Sequence, residues 1–380
     1  SPARTWKRFQ YPLAVYAASR LLYVLVAVTD SIAQHTSIGA ELSNWDGQWY
    51  IRTAEHWYSH QVIVQHEHYT TLGFLPLFPT LQWLIAHITP LSVTSSGVAL
   101  SLISGAVATL LVMKLAEEWW GKAAARRALW FWCFFPGTVV FTMVYTEGLL
   151  ISLVAGSLLL LTRKRWVWAG LLAGLSTAVE PLAVAVIPAC AAAAWMEIRK
   201  HGWEDRQARR SLLAPILSPL GLVGFGIFLW FWCGTPLASY EAQRGAWSQS
   251  PSPLAIPRLF GSLVHQLFIK GVGSHGPAGI DLNAILGLLG TAFLFYGLSR
   301  LWRVRRTVPV PAWTWTACAT LLLLTTKNPP NPRMLICTFP VVLIVGAGHR
   351  GRARWWLLAA DIACLLVLSW FTYVGIWLRP

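Results

Sequence analysis

Charged side chains are scarce in this sequence. Only 12% of its 380 residues are Asp, Glu, Lys or Arg, where soluble domains carry roughly 25%. A water-facing globular surface is therefore excluded for most of the chain. Acids are scarcer still, 15 against 30 basic residues. CxxC spacing is absent: Cys133, Cys190, Cys233, Cys318, Cys337 and Cys364 stand singly in or beside apolar runs. They read as small buried hydrophobes, which excludes a disulfide framework or a zinc site. No Walker A, GxGxxG, HExxH or GxSxG pattern occurs, which argues against nucleotide hydrolysis and the common hydrolases.

What the chain has in quantity is apolar surface and tryptophan. It is 56% hydrophobic with 23 Trp and a mean hydropathy of +0.52. A bilayer core of about 30 Å needs around 20 apolar residues per helix, and backbone groups in lipid must be satisfied internally. Long apolar runs without strict alternation then mean an all-α integral membrane protein rather than a barrel. Eleven spans are expected, near 10–33, 92–115, 128–144, 148–163, 165–180, 182–198, 211–233, 279–299, 309–326, 334–348 and 355–377. Tryptophans suit the membrane interface, and so many also suit sugar stacking.

The net charge of +15 could suggest a nucleic-acid partner, but its placement points to membrane orientation instead. Most basic residues gather in alternate short connections, such as Lys122-Arg126-Arg127, Arg163-Lys164-Arg165 and Arg350-Arg352-Arg354. The positive-inside rule puts those connections and the N-terminus in the cytoplasm. The two long loops, 34–91 and 234–278, are then external, and the chain reads as a single polytopic domain over 1–380. Residues 72–90 are nearly long enough to cross. However, Pro76, Pro79, Gln82 and His87 weaken a lipid-facing helix, and a crossing there would invert the charge map. A membrane-skimming helix is expected.

The unusual polar residues fall on the external side. Asp46 sits in Asn44-Trp45-Asp46-Gly47-Gln48-Trp49-Tyr50, followed by Glu55 and His56. Tyr145-Thr146-Glu147 makes a tight turn between two spans, Gln243, Arg244 and Trp247 lie in the second long loop, and Lys327 and Arg333 bracket a proline-rich turn. Carboxylates, fixed cations and aromatics on one face are the parts of a glycosyl transfer with a phosphate leaving group. One carboxylate takes the acceptor hydroxyl proton, and the cations hold the developing phosphate charge. Alternatives stand beside this: Asp46 as an N-cap for a helix from Gly47, Glu147 as a cap, and Arg333 snorkelling to headgroups. His66-Glu67-His68 reads as a solvated loop tip, with a metal site as the alternative. Arg20 and Asp361, inside spans, read as structural.

At these residues the chain resembles the PIG-V family of GT-C glycosyltransferases, bacterial relatives of the second mannosyltransferase of glycosylphosphatidylinositol assembly. The resemblance rests on Trp45-Asp46 through Ala54-Glu55-His56, Phe74-Leu75-Pro76-Leu77-Phe78-Pro79, and Phe135-Pro136 with Tyr145-Thr146-Glu147. It continues in Gly234-Thr235-Pro236-Leu237-Ala238 with Ala242-Gln243 and Trp247, and in Pro332-Arg333-Met334-Leu335 with Phe339-Pro340. It implies a GT-C fold in a bacterial plasma membrane. It also implies inverting transfer of mannose from a polyprenyl-phosphate donor to a lipid or glycan acceptor on the extracytoplasmic face.

On that reading Asp46 is the base, and Arg333 with Lys327 binds the donor phosphate. Trp45, Glu55, His56, Tyr145, Glu147, Gln243, Arg244 and Trp247 bind substrate. No cofactor is required, with a divalent metal as the alternative, and the partners are the donor, the acceptor and membrane lipids. One departure stands out: where relatives often carry an arginine, this chain has Glu180-Pro181-Leu182. The rival functions are a lipid-linked-sugar flippase, which would carry charges along a central path and inverted repeats, and a non-catalytic subunit of a glycan assembly complex.

Overall fold

In the computed structural model the described residues are 2–62, 69–247, 252, 254–268, 282–326 and 330–373. Among them the secondary structure is helical, apart from an isolated bridge at Thr326. The first third holds α1 (Pro2–Gln34), α2 (Ile38–Glu41), α3 (Asp46–His56), α4 (Leu77–Ile88), α5 (Val93–Trp120) and α6 (Lys122–Phe134). Then follow α7 (Glu147–Thr162), α8 (Trp166–Ser176), α9 (Val186–His201), α10 (Arg206–Arg210), α11 (Leu213–Leu217), α12 (Leu220–Cys233) and α13 (Ala238–Arg244). The last part contributes α14 (Ala255–Phe268), α15 (Leu282–Arg303), α16 (Val310–Thr325), α17 (Pro332–Cys337), α18 (Phe339–Gly348) and α19 (Gly351–Tyr373).

Among the described residues five helical segments are long and apolar enough to cross a bilayer: Phe9–Gln34, Val93–Trp120, Pro181–His201, Asn283–Arg303 and Gly351–Thr372. The pair Arg206–Leu217 and Leu220–Cys233, bent by 40°, makes six if taken as one span. Shorter apolar helices, α7, α8, α16 and α18 among them, coincide with four further spans expected from sequence. The protein is an integral membrane protein. Helix α4, with 12 residues, is about 18 Å long at 1.5 Å per residue and belongs to the same group of shorter apolar helices.

The expected span 128–144 is not one helix, and the reason is Pro136. It has no N–H to donate and bars its predecessor from the helical region, so α6 stops at Phe134 and residues Pro136–Phe141 form a 3₁₀ turn. The carbonyls freed by the break are met by α1. Arg20 donates from Nη2 to Cys133 O at 2.9 Å, and Tyr23 donates its hydroxyl to Phe135 O at 2.8 Å. Arg20 therefore plugs a broken helix end. Its burial at 5% exposure is matched by hydrogen bonds, as a buried cation requires.

Close helix approach sets the geometry at this end of the bundle. Small residues let α5 and α7 pack backbone to backbone. A Cβ on Gly148 would lie 2.8 Å from Ser104 Oγ and 2.9 Å from Gly105 N, and Ser152 donates to Ser104 O at 2.7 Å. A Cβ on Gly137 would fall 2.0 Å from Pro332 O, so the 3₁₀ turn and the start of α17 touch through their main chains. These two approaches place Glu147 and Arg333.

Candidate active site

Asp46 is the first residue of α3, and the strain falls on its predecessor. Trp45 has φ 60°, ψ −123°, a sparsely populated region that costs on the order of 1–3 kcal/mol. The segment is tied down by Val144, whose N–H donates to Leu42 O at 2.9 Å. The Asp46 N–H donates to Tyr145 Oη at 3.3 Å. No N-capping side-chain bond forms at α3. The Asp46 carboxylate is turned instead to Arg333 Nη1 at 2.6 Å.

Glu147 likewise opens its helix without capping it. Ser101 of α5 pins the turn before it, donating to Tyr145 O at 2.9 Å and accepting from Tyr145 N at 3.2 Å. Glu147 Oε1 accepts from Arg333 Nε. Arg333 rises from the first turn of α17, where Asn331 caps Met334 N at 2.9 Å and Pro332 occupies the first helical position. That cap-and-proline start is a strong local signal, so the proline-rich turn read from sequence becomes, from Asn331 on, a capped helix. The guanidinium carbon lies 4.6 Å over the Tyr145 ring.

Three distant segments thus converge on one guanidinium. Exposure sorts their roles: the Asp46 side chain is 31% exposed, Arg333 14% and Glu147 1%. Asp46 is the acid that a ligand can reach. Glu147 and the fully buried Tyr145 hold Arg333 from behind, rather than offering surface to a substrate as the sequence suggested. Arg333 has five N–H donors; Nε and Nη1 are engaged, and Nη2 has no partner among the described residues.

Glu180 joins the cluster, and sequence reasoning marked it only as a departure from the family pattern. It lies within electrostatic reach of Glu147, Arg333, Asp46 and Tyr50, with Thr146 as its side-chain hydrogen-bond partner. Burial, reinforced by Glu147, pushes it up to about 8. The available signal was an acid directly before proline between two apolar runs. Tyr50, one turn beyond Asp46, meets Thr146 Oγ1 at 3.3 Å.

Other expected residues are placed elsewhere. Glu55 and His56 end α3, about 14 Å along the helix from Asp46 at 1.5 Å per residue. They are exposed and face each other at 3.9 Å. Arg244 is exposed, its guanidinium 5.7 Å over Tyr240. Gln243 and Trp247 clamp the first long loop: Gln243 donates to Gly73 O at 2.6 Å and Trp247 to Thr70 O at 3.1 Å. Trp247 also packs against Trp49, Tyr69 and Phe74, so this pair shapes the wall beside α3. Trp45 is half-buried, its Nε1 3.5 Å from Thr372 O. Lys327 and His66-Glu67-His68 lie outside the described residues. Among the described residues no group of three or more His, Cys, Asp or Glu is arranged to hold a metal.

Comparison with known proteins fits this scaffold. Residues 68–326 match the profile of glycosyltransferase family 87. No curated protein matches in sequence. Among solved structures the chain is similar to the oligosaccharyltransferase of Archaeoglobus fulgidus in its apo form, at 15% identity and a TM-score of 0.56, over 99% of this chain and 57% of that one. It is also similar to the same organism's oligosaccharyltransferase AglB in complex with an inhibitory peptide and a dolichol-phosphate, at 15% identity and a TM-score of 0.51, over 97% and 56%. At that identity the likeness is one of fold, and the chain spans little more than half of that protein's length. Asp46 and Arg333 lie on either side of the stretch matched by the family profile. The motif resemblance to the PIG-V family and the profile match meet at the GT-C class. The chain belongs to glycosyltransferase family 87 and is a GT-C-type membrane glycosyltransferase.

Proposed function

We propose that the protein moves a sugar, mannose being the first candidate, from a polyprenyl-phosphate donor to a lipid or glycan acceptor on the extracytoplasmic face, with inversion. The observation that carries this reading is Arg333: two of its donors are fixed by Asp46 and Glu147 while Nη2 has no partner among the described residues. An anchored guanidinium with spare donors suits a phosphate, which takes forked hydrogen bonds. The AglB complex with dolichol-phosphate supports a lipid-phosphate donor for this scaffold. The concentration of basic residues in the alternate connections supports the sidedness.

In the transfer, the acceptor oxygen attacks the anomeric carbon as Asp46 takes its proton. The bond from that carbon to the phosphate oxygen breaks, and the lipid phosphate leaves with the electron pair, its charge held by Arg333. The ion pair adds a coupling. With the site empty, Arg333 pairs with the Asp46 carboxylate. A donor phosphate competes for the guanidinium and frees the Asp46 carboxylate to meet the acceptor hydroxyl. Donor then binds before acceptor chemistry begins.

The test is transfer of radiolabelled mannose by the purified protein into a lipid extract of the producing cells. Polyprenyl-phosphate mannose should serve as donor and GDP-mannose should not. Use of GDP-mannose would overturn the donor class. Use of another polyprenyl-phosphate sugar in preference to mannose would correct the sugar alone.

A further inference from the structure

Tyr145 is fully buried, so it offers no surface to a substrate, yet its two ends meet the two working charges of the site. Its ring lies beneath Arg333, with the guanidinium carbon 4.6 Å from the ring centroid. Its hydroxyl reaches the other segment: it accepts from the Asp46 N–H at 3.3 Å and donates, over a longer 3.5 Å, to Asn44 O. These two contacts straddle Trp45, the residue at φ 60°, ψ −123°. A non-glycine residue in that region persists only where its surroundings over-determine it. The main chain of Tyr145 is itself pinned, because Ser101 Oγ accepts from its N–H at 3.2 Å and donates to its carbonyl at 2.9 Å. The neighbouring tie, from Val144 N–H to Leu42 O at 2.9 Å, stops short of Trp45.

We propose that Tyr145 is a positioning residue with two separable roles: its hydroxyl aims the Asp46 carboxylate by fixing the Trp45 turn, and its ring sets the Arg333 guanidinium for the donor phosphate. The kinetic consequence rests on the transfer reading above. Removing the hydroxyl alone lets Trp45 relax and moves Asp46, while the ring still supports Arg333. Proton transfer then suffers and donor binding does not. Removing the ring as well costs both. A residue that served folding alone would lower thermal stability without separating kcat from donor KM.

The experiment is steady-state transfer from polyprenyl-phosphate mannose by Tyr145→Phe and Tyr145→Leu, beside hydrogen exchange of the donor-free proteins. Tyr145→Phe should lower kcat by about 10–100-fold, the order expected when a reacting group moves by about 1 Å, with donor KM unchanged. Tyr145→Leu should also raise donor KM, by up to about 30-fold for a buried cation–π contact. In an Asp46→Asn background Tyr145→Phe should cost nothing further, because the base it aims is gone. A Tyr145→Phe protein that raises donor KM at unchanged kcat, or that leaves both unchanged, overturns the proposal. Hydrogen exchange needs no donor. The amides of residues 44–48 should exchange faster in Tyr145→Phe than in wild type, with those of α5 and α7 unaltered, and equal exchange refutes the tether. Faster exchange in a protein that never uses polyprenyl-phosphate mannose would sink the donor reading while leaving the tether standing.

Discussion

At one end of the bundle Lys114 meets Glu118 at 3.2 Å, one helical turn away, with both side chains about a third exposed. Nearby, Lys164 reaches Glu197, and Arg127 donates to the helix-end carbonyl of Ala347 at 2.7 Å. At the other end Arg333 joins Asp46 and Glu147 across 287 and 186 residues of chain, with Glu147 almost fully buried. In the first arrangement every cation is partly exposed and has its partner in place, the kind of contact that anchors helices at an interface. The second is assembled by the fold from three segments, costs desolvation, and leaves polar atoms open: Arg333 Nη2, Glu147 Oε2 and Glu180 Oε2. Charge that is buried and incompletely used marks the site; charge on partly exposed, satisfied cations does not.

The largest effect should come from the exposed acid of the buried cluster. Asp46→Asn keeps shape but cannot accept a proton, and a general base typically contributes about 10²–10⁴-fold. Steady-state turnover of the folded, detergent-extracted variant measures it, and near-normal turnover would remove Asp46 from the chemistry. Arg333 comes next. Arg333→Ala should lower kcat/KM for the donor by about 10–150-fold, the worth of a charge-assisted hydrogen bond, and Arg333→Lys by less. Removing the cation also strands Glu147, and breaking a buried pair costs about 3–5 kcal/mol. Thermal stability should therefore fall in Arg333→Ala and recover in the Arg333→Ala/Glu147→Gln double variant. If the acceptor KM rises instead, Arg333 belongs to the acceptor side.

Gly137→Ala tests whether geometry, rather than charge alone, makes the difference between the ends. Its Cβ would sit 2.0 Å from Pro332 O, so the start of α17 must shift. A displacement of about 1 Å can cost about 10²-fold in rate, and donor kcat/KM should fall with the ion pair chemically intact. The smallest effect belongs to the opposite end. Glu118→Gln removes an exposed pair worth at most about 1 kcal/mol and should leave turnover unchanged; a turnover defect there would blur the contrast. Sidedness sharpens it: a cysteine replacing Gln61 should react with an impermeant thiol reagent from outside intact cells, and one replacing Gln207 should not.

Much of this was legible in the sequence because it is written in local patterns. Charge scarcity and apolar runs gave the helical membrane class, and Asp46, Glu147 and Arg333 each stood out as polar residues beside apolar helix ends. Their pairing was not legible. It depends on Gly137 and Gly148 letting main chains touch, and on Pro136 breaking a run that reads as one span. Glu55, His56 and Arg244 lie apart from the Arg333 cluster, a placement that proximity along the chain does not reveal. Glu180 was visible as an oddity, but a carboxyl's partners come from the fold.

On the proposed mechanism Arg333 holds the donor phosphate and Asp46 does the chemistry, with the two acids and the guanidinium sharing one site. Equilibrium binding of radiolabelled polyprenyl-phosphate mannose to Asp46→Asn, measured beside its turnover, separates these roles directly. Loss of the aspartate charge frees Arg333, so donor binding should be retained or tightened while transfer is lost. Donor binding that disappears along with turnover, or turnover that survives, would contradict the account.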